Sequence, residues 1–98
     1  MTRSGFVYIV ASGRNGTIYL GVTSSLPARA YQHRHGLIDG FSKRYGCTHL
    51  VWYEAHDDIQ DARLRELQLK KWNRSWKLRL IEELNPTWRD LYDSIASG

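Results

Sequence analysis

Ninety-eight residues, 42% of them hydrophobic, with a net charge of +4, describe one small folded domain over residues 1–98. No apolar run approaches the roughly 20 residues of a membrane-spanning helix, so no membrane partner is expected. A single cysteine, Cys47, excludes an internal disulfide and a multi-cysteine zinc site. With no signal-peptide pattern, the cytoplasm is the expected compartment.

In chain order, "FVYIVA" at 6–11 reads as a strand and "SGRNG" at 12–16 as turn chemistry. "TIYLGV" at 17–22 is the returning strand of a hairpin. A helix follows, with Ser24 or Ser25 as N-cap, Pro27 in its first turn and Gly36 as its stop. A polar, glycine-bearing loop leads to a third strand, "THLVWYEA" at 48–55. Asp57 or Asp58 caps the next helix, which runs to about Trp72. Ser75 is the expected cap of another, with Trp76, Leu80, Ile81 and Leu84 in one stripe. Asn85-Pro86 reads as the restart of a last helix, in which Trp88, Leu91, Tyr92 and Ile95 recur at amphipathic spacing. The expectation is an α+β fold, a small three-stranded antiparallel sheet flanked by helices in the order β-β-α-β-α-α-α.

Two tyrosines stand in the hairpin strands, and register decides whether they meet. A four-residue loop at 13–16 sets Tyr8 opposite Gly21 and Val10 opposite Tyr19. Both phenols then share a face as diagonal neighbours, and Gly21 leaves room beside the Tyr8 ring. A two-residue turn keeps them on one face but several rows apart, and a five-residue loop separates the faces. Taken alone, both are ordinary strand aromatics.

Arg29 and His33 lie four apart on the first helix and share a face. An arginine can fork onto phosphate oxygens, and a histidine can exchange a proton near neutral pH. Glu66 lies in line with the apolar residues Ile59, Ala62 and Leu69. A carboxylate there needs a partner, either Arg63 or Lys70 in a salt bridge, or a metal such as Mg2+ that accepts oxygen ligands. Asn85 reads first as a helix cap and second as an additional site contact.

The charge is clustered. Residues 29–44 hold four basic side chains with Asp39 as the only acid, and "KKWNRSWKLR" at 70–79 holds five and no acid. Arg34, Lys43, Arg44, Lys70, Lys71 and Arg74 are the candidate nucleic-acid contacts, since bases interleaved with aromatics suit a phosphate backbone beside stackable bases. The plainer alternative is a solvated face with Trp72 and Trp76 anchored in the core.

In order and spacing, "VYI", "YLG", "R...H" and a later glutamate resemble the GIY-YIG nuclease superfamily. "NGTIYLGVT", "KRYG", "LVWYE", "QLKKWNRSWKLRLI" and "NPTWRDLY" resemble its small, single-domain bacterial members, over about Phe6 to Tyr92. The resemblance implies divalent-metal-dependent endonuclease cleavage of DNA, with Mg2+ or Mn2+, in repair, recombination or nucleic-acid processing. It matches Tyr8 and Tyr19 to the motif tyrosines, Arg29 to the helix arginine, His33 to a histidine-or-tyrosine position and Glu66 to the metal-binding glutamate. Asn85 is matched loosely to a late asparagine. The first motif reads Val7-Tyr8-Ile9 and the second Tyr19-Leu20-Gly21, and Val22 stands where the excision-repair branch has lysine. By this resemblance one of the phenols, Tyr8 before Tyr19, helps deprotonate the attacking water while Tyr19 or His33 positions it, provided that the metal and Arg29 favour the phenolate. RNA is a second candidate substrate, and specificity falls to DNA shape, a homodimer or an accessory recognition protein. The alternative is a non-catalytic nucleic-acid-binding module.

Overall fold

The computed structural model describes residues 3–96. Strands β1 (Gly5–Ala11) and β2 (Ile18–Thr23) form the hairpin, closed by Ser12 N–H donating to the Thr17 carbonyl at 2.9 Å. The register pairs Tyr8 with Gly21 and Val10 with Tyr19, as the four-residue loop requires. Strand β3 (His49–His56) pairs with β1 on its other side, giving an antiparallel sheet of order β2-β1-β3.

Among the described residues, five helices flank this sheet: α1 (Leu26–Arg34), α2 (Phe41–Arg44), α3 (Ile59–Lys70), α4 (Arg74–Leu84) and α5 (Tyr92–Ala96). Alternation along β1 divides the core in two. Val7, Ile9 and Ala11 pack with Ala62, Leu69 and Ile81 beneath α3 and α4. Tyr8 and Val10 face Leu26, Ala30 and Leu91 beneath α1 and α5. Each fully buried aliphatic side chain here contributes about 1.5–3 kcal/mol through its removal from water.

The order matches the expected one with one addition, the short α2 in the stretch read as loop. Gly40 and Gly46 bracket it with φ of 113° and 66°. Gly46 N–H then donates to the Lys43 carbonyl and Cys47 N–H to that of Ser42, at 3.2 and 2.8 Å. That pair of hydrogen bonds is the glycine-dependent C-terminal closure of a helix, and α1 ends the same way at Gly36.

Two C-terminal expectations are corrected. Helix α4 begins two residues early: Asn73 Oδ1 accepts from Trp76 N–H at 2.9 Å and from the Ser75 hydroxyl at 2.8 Å, so Asn73 is the cap. Asn85 ends α4 instead of starting a helix. Its amide donates to the carbonyls of Val51 (3.1 Å) and Arg89 (2.8 Å), and its oxygen accepts from Arg89 N–H. The reason lies in β3. Val51 is an extra residue between the pairs Ile9–Trp52 and Val10–Leu50, and this bulge leaves backbone groups without a ladder partner. The segment after α4 supplies partners: Asn85 to Val51, Asp90 to Leu50 N–H, and Leu91 N–H to the Leu50 carbonyl. Trp88 turns through a φ of 60°, so the apparent stripe from Trp88 to Ile95 is split between the two halves of the core.

Candidate active site

On the α1 face of the sheet, Tyr8 is buried to 2% exposure and His33 to 3%. The Tyr8 hydroxyl and His33 Nε2 lie 2.9 Å apart. Tyr19 also packs on this imidazole, so His33 contacts both phenol rings, at centroid distances of 5.4 and 5.6 Å. Gly21 makes the arrangement fit: a Cβ there would lie 2.5 Å from the Tyr8 hydroxyl and 2.6 Å from Cζ.

The two phenols open onto a cleft of about 530 Å3 that wraps the outer strand β2. Arg29 enters from α1, while Arg63, Glu66 and Leu67 enter from α3 on the opposite side of the sheet. Helix α3 is fixed for this by Asp58, whose carboxylate caps Gln60 N–H, and by the bond from Ile59 N–H to the Arg3 carbonyl. Arg3 also lines the cleft, which therefore holds three guanidinium groups and one carboxylate. Glu66 is 19% exposed and has Lys70 Nζ at 3.7 Å. Among the described residues, no three His, Cys, Asp or Glu gather as a metal cage. One carboxylate with open space beside it fits a magnesium-like ion, which completes its octahedron with water and phosphate oxygens.

Burial dominates the electrostatics. It pushes the Tyr8 phenol well above the usual tyrosine range; Tyr19 adds to this, Arg29 opposes it and Glu66 adds further. Arg29 alone therefore does not make Tyr8 a resting phenolate. Burial, and then Arg29, push His33 down to about 4, so the imidazole is neutral at neutral pH. Its Nδ1 is buried without a hydrogen-bond partner. If the phenol donates to Nε2, the ring proton sits on that unpartnered Nδ1; if Nε2 donates, Nδ1 keeps a bare lone pair.

The fold thus brings Tyr8, Tyr19, Arg29, His33 and Glu66 together, and leaves Asn85 in the core away from them. The basic candidates are dispersed. Arg34 pairs with Asp93 at 3.2 Å and covers the Tyr92 ring. Lys43 pairs with Asp39 at 3.4 Å, and Arg44 lies over Tyr45. Arg74 donates to the carbonyls of Asn15 and Gly16 at 2.9 and 2.6 Å, bracing the hairpin loop. Lys71 is exposed at the end of α3, and Lys70 alone borders the cleft through Glu66. Neither Arg3 nor Phe41 was singled out from the sequence. Phe41 stacks on Tyr19 at 6.3 Å and on to Tyr45 at 4.6 Å, both rings about half exposed. The glycines around an i, i+4 aromatic pair were the available signal.

Residues 4–79 match the GIY-YIG catalytic domain model. UPF0213 proteins of Staphylococcus aureus strains Mu3, Mu50 and N315 are each 36% identical over 80 residues, covering 82% of this chain and 96% of theirs. No solved structure matches the chain. The family match covers the hairpin, α1 and α3 that carry the paired phenols, the arginine and the glutamate; the fold is of nuclease type, and the chain belongs to the GIY-YIG family.

Proposed function

We propose that this protein is an endonuclease that uses a divalent cation, Mg2+ or Mn2+, to hydrolyse DNA phosphodiester bonds during repair, recombination or other nucleic-acid processing. The observation that carries the reading is the shared cleft of Tyr8, Tyr19, Arg29 and Glu66, whose charge suits a phosphate.

Glu66 would hold the cation, which when bound neutralises charge at the scissile phosphate and at the departing oxygen. Arg29 faces the same space and offers its guanidinium fork to the non-bridging oxygens, where charge builds in the transition state. Arg3 and Arg63 add positive potential around the strand. Tyr8 acts as a neutral phenol. Its hydroxyl orients the attacking water and accepts the water's proton as its own passes to His33 Nε2, so no free phenolate is needed at rest. Tyr19 buttresses the imidazole through a tilted ring contact at 5.6 Å. Exposed Phe41 and Tyr45, beside Arg44, give stacking surface to bases beyond Tyr19.

Supercoiled plasmid incubated with the protein and Mg2+ or Mn2+ tests this. Nicking should appear, require the cation and vanish in Glu66→Ala. Salt-sensitive binding with no nicking by the wild type would instead leave a non-catalytic binding module. An RNA of matched length in the same assay separates the two nucleic acids as substrates.

A further inference from the structure

Helix α4 carries a solvent-facing stripe that the cleft does not use. Trp76, Arg79, Leu80 and Glu83 follow at helical spacing and, with Trp72, line a second hollow of about 240 Å3. Trp76 is 52% exposed, and Leu84, one turn beyond Leu80, is 51% exposed. The indoles of Trp72 and Trp76 meet edge to face at 5.9 Å, which holds the exposed ring in place. Leu80, between Trp76 and Leu84, is half-buried and, like Trp72, packs against the core beneath. An anchored leucine is thus flanked by two exposed apolar side chains on one face, which marks an interaction surface.

The charges of α4 indicate what covers it. The helix opens basic, with Arg74, Lys77 and Arg79, and closes acidic, with Glu82 and Glu83. It has no acid in its first turn and no base in its last. That is the reverse of what a helix dipole favours. A second α4 lying antiparallel would correct both ends, setting the glutamates of one copy beside the N-terminal half of the other.

The stripe is also complementary to itself. With Leu80 on a two-fold axis, Trp76 lies four residues to one side and Leu84 four to the other. Each Trp76 then meets Leu84 of the second copy, and Arg79 comes within a turn of the second copy's Glu83 on the same flank. A two-fold contact demands this kind of self-matching. Nothing in the stripe lines the nuclease cleft, so both clefts stay open.

We propose that α4 is the homodimer interface of this protein, an isologous antiparallel pair built on Trp76, Leu80 and Leu84 and set in register by Arg79 and Glu83. The 11 residues of the helix span about 16 Å, which places the contact at the small end of specific interfaces. Association is therefore concentration-dependent, in the micromolar range.

Sedimentation equilibrium of the full chain without DNA, from micromolar to near-millimolar concentration, tests it. The wild type should approach twice its 11.4 kDa mass. Leu84→Arg should stay at the single mass with an unchanged circular dichroism spectrum. Arg79→Glu and Glu83→Arg should each weaken self-association by about tenfold or more, because each sets like charges opposite one another. Mixing these two variants should restore the dimer, since both cross-contacts then pair opposite charges. A wild type that stays at single mass throughout overturns the proposal, and a loss of DNA affinity in Trp76→Ala would then assign the stripe to nucleic acid. A dimer untouched by either reversal overturns it as well, by placing the contact elsewhere.

Discussion

The inner and outer walls of the cleft are built on opposite principles. The inner wall, Tyr8 and His33, is almost wholly buried, uncharged and joined by one 2.9 Å contact. The outer wall, Arg29, Arg63 and Glu66, is charged, carried on helices and open to solvent on one side. The pKa shifts show the consequence: burial outweighs the nearby guanidinium at Tyr8 and lowers the basicity of His33. A low-dielectric wall can position and relay a proton, while permanent charge has to sit where water and phosphate reach it.

The sharpest way to break this division is to remove one member from each wall. Tyr8→Phe should keep DNA affinity and lower turnover by about 10²- to 10⁴-fold, the usual contribution of a positioned proton-transfer group. Arg29→Ala should lower turnover by about 10²- to 10³-fold, as loss of a transition-state donor does, and should also weaken binding. Its salt dependence of DNA affinity should fall by about one phosphate contact. Steady-state nicking and fluorescence anisotropy across a salt series separate the two patterns. If Tyr8→Phe loses affinity with turnover intact, the inner wall binds substrate and the division fails.

A neutral buried histidine also leaves a mark on stability. Its folded pKa of about 4 lies below the unfolded value of 6.5, so between these pH values the unfolded chain binds a proton that the native state refuses. Stability is fully present above pH 6.5 and falls as pH drops towards 4, by up to about 3 kcal/mol from this group. Urea denaturation at stepped pH should show that loss, and His33→Phe should flatten it. A slope unchanged by that substitution would place the acid sensitivity elsewhere.

What was legible in the sequence follows from the range of the forces involved. The hairpin itself could be read from its turn residues, while its register stayed open among three loop lengths until the pairing of Tyr8 with Gly21 decided it. Arg29 with His33 could be read because four residues make about one helical turn. Glu66 stood out as a charge in an apolar row. The capping by Asn85 was not legible, because it answers a bulge at Val51, 34 residues earlier, that only strand pairing creates. The Trp88 stripe misled for the same reason: the spacing is helical, but the backbone is held elsewhere by Leu50 and Val51. The basic candidates show a second limit. Clustering in sequence says little about clustering in space once Arg74 braces a loop and Arg34 pairs with Asp93.

Gly21 is the smallest test of how tightly the inner wall is set. An alanine methyl would stand 2.5 Å from the Tyr8 hydroxyl, too close for both to stay, so the ring must move away from β2. Overpacking of this kind costs about 1–3 kcal/mol, measurable as a lowered urea midpoint. Cleavage by Gly21→Ala should suffer more than stability does, because the displaced hydroxyl loses its place beside His33 Nε2. The double variant Gly21→Ala with Tyr8→Phe separates these effects. Removing the hydroxyl takes away the closest clashing atom and frees the ring from His33, leaving Cζ, at 2.6 Å, to be relieved by a shift of the ring. The second substitution should therefore restore part of the first one's loss while cleavage stays low. Fully additive losses would mean that the ring, held by Tyr19 and His33, cannot use the space released, and that the inner wall is fixed by packing more than by its one hydrogen bond.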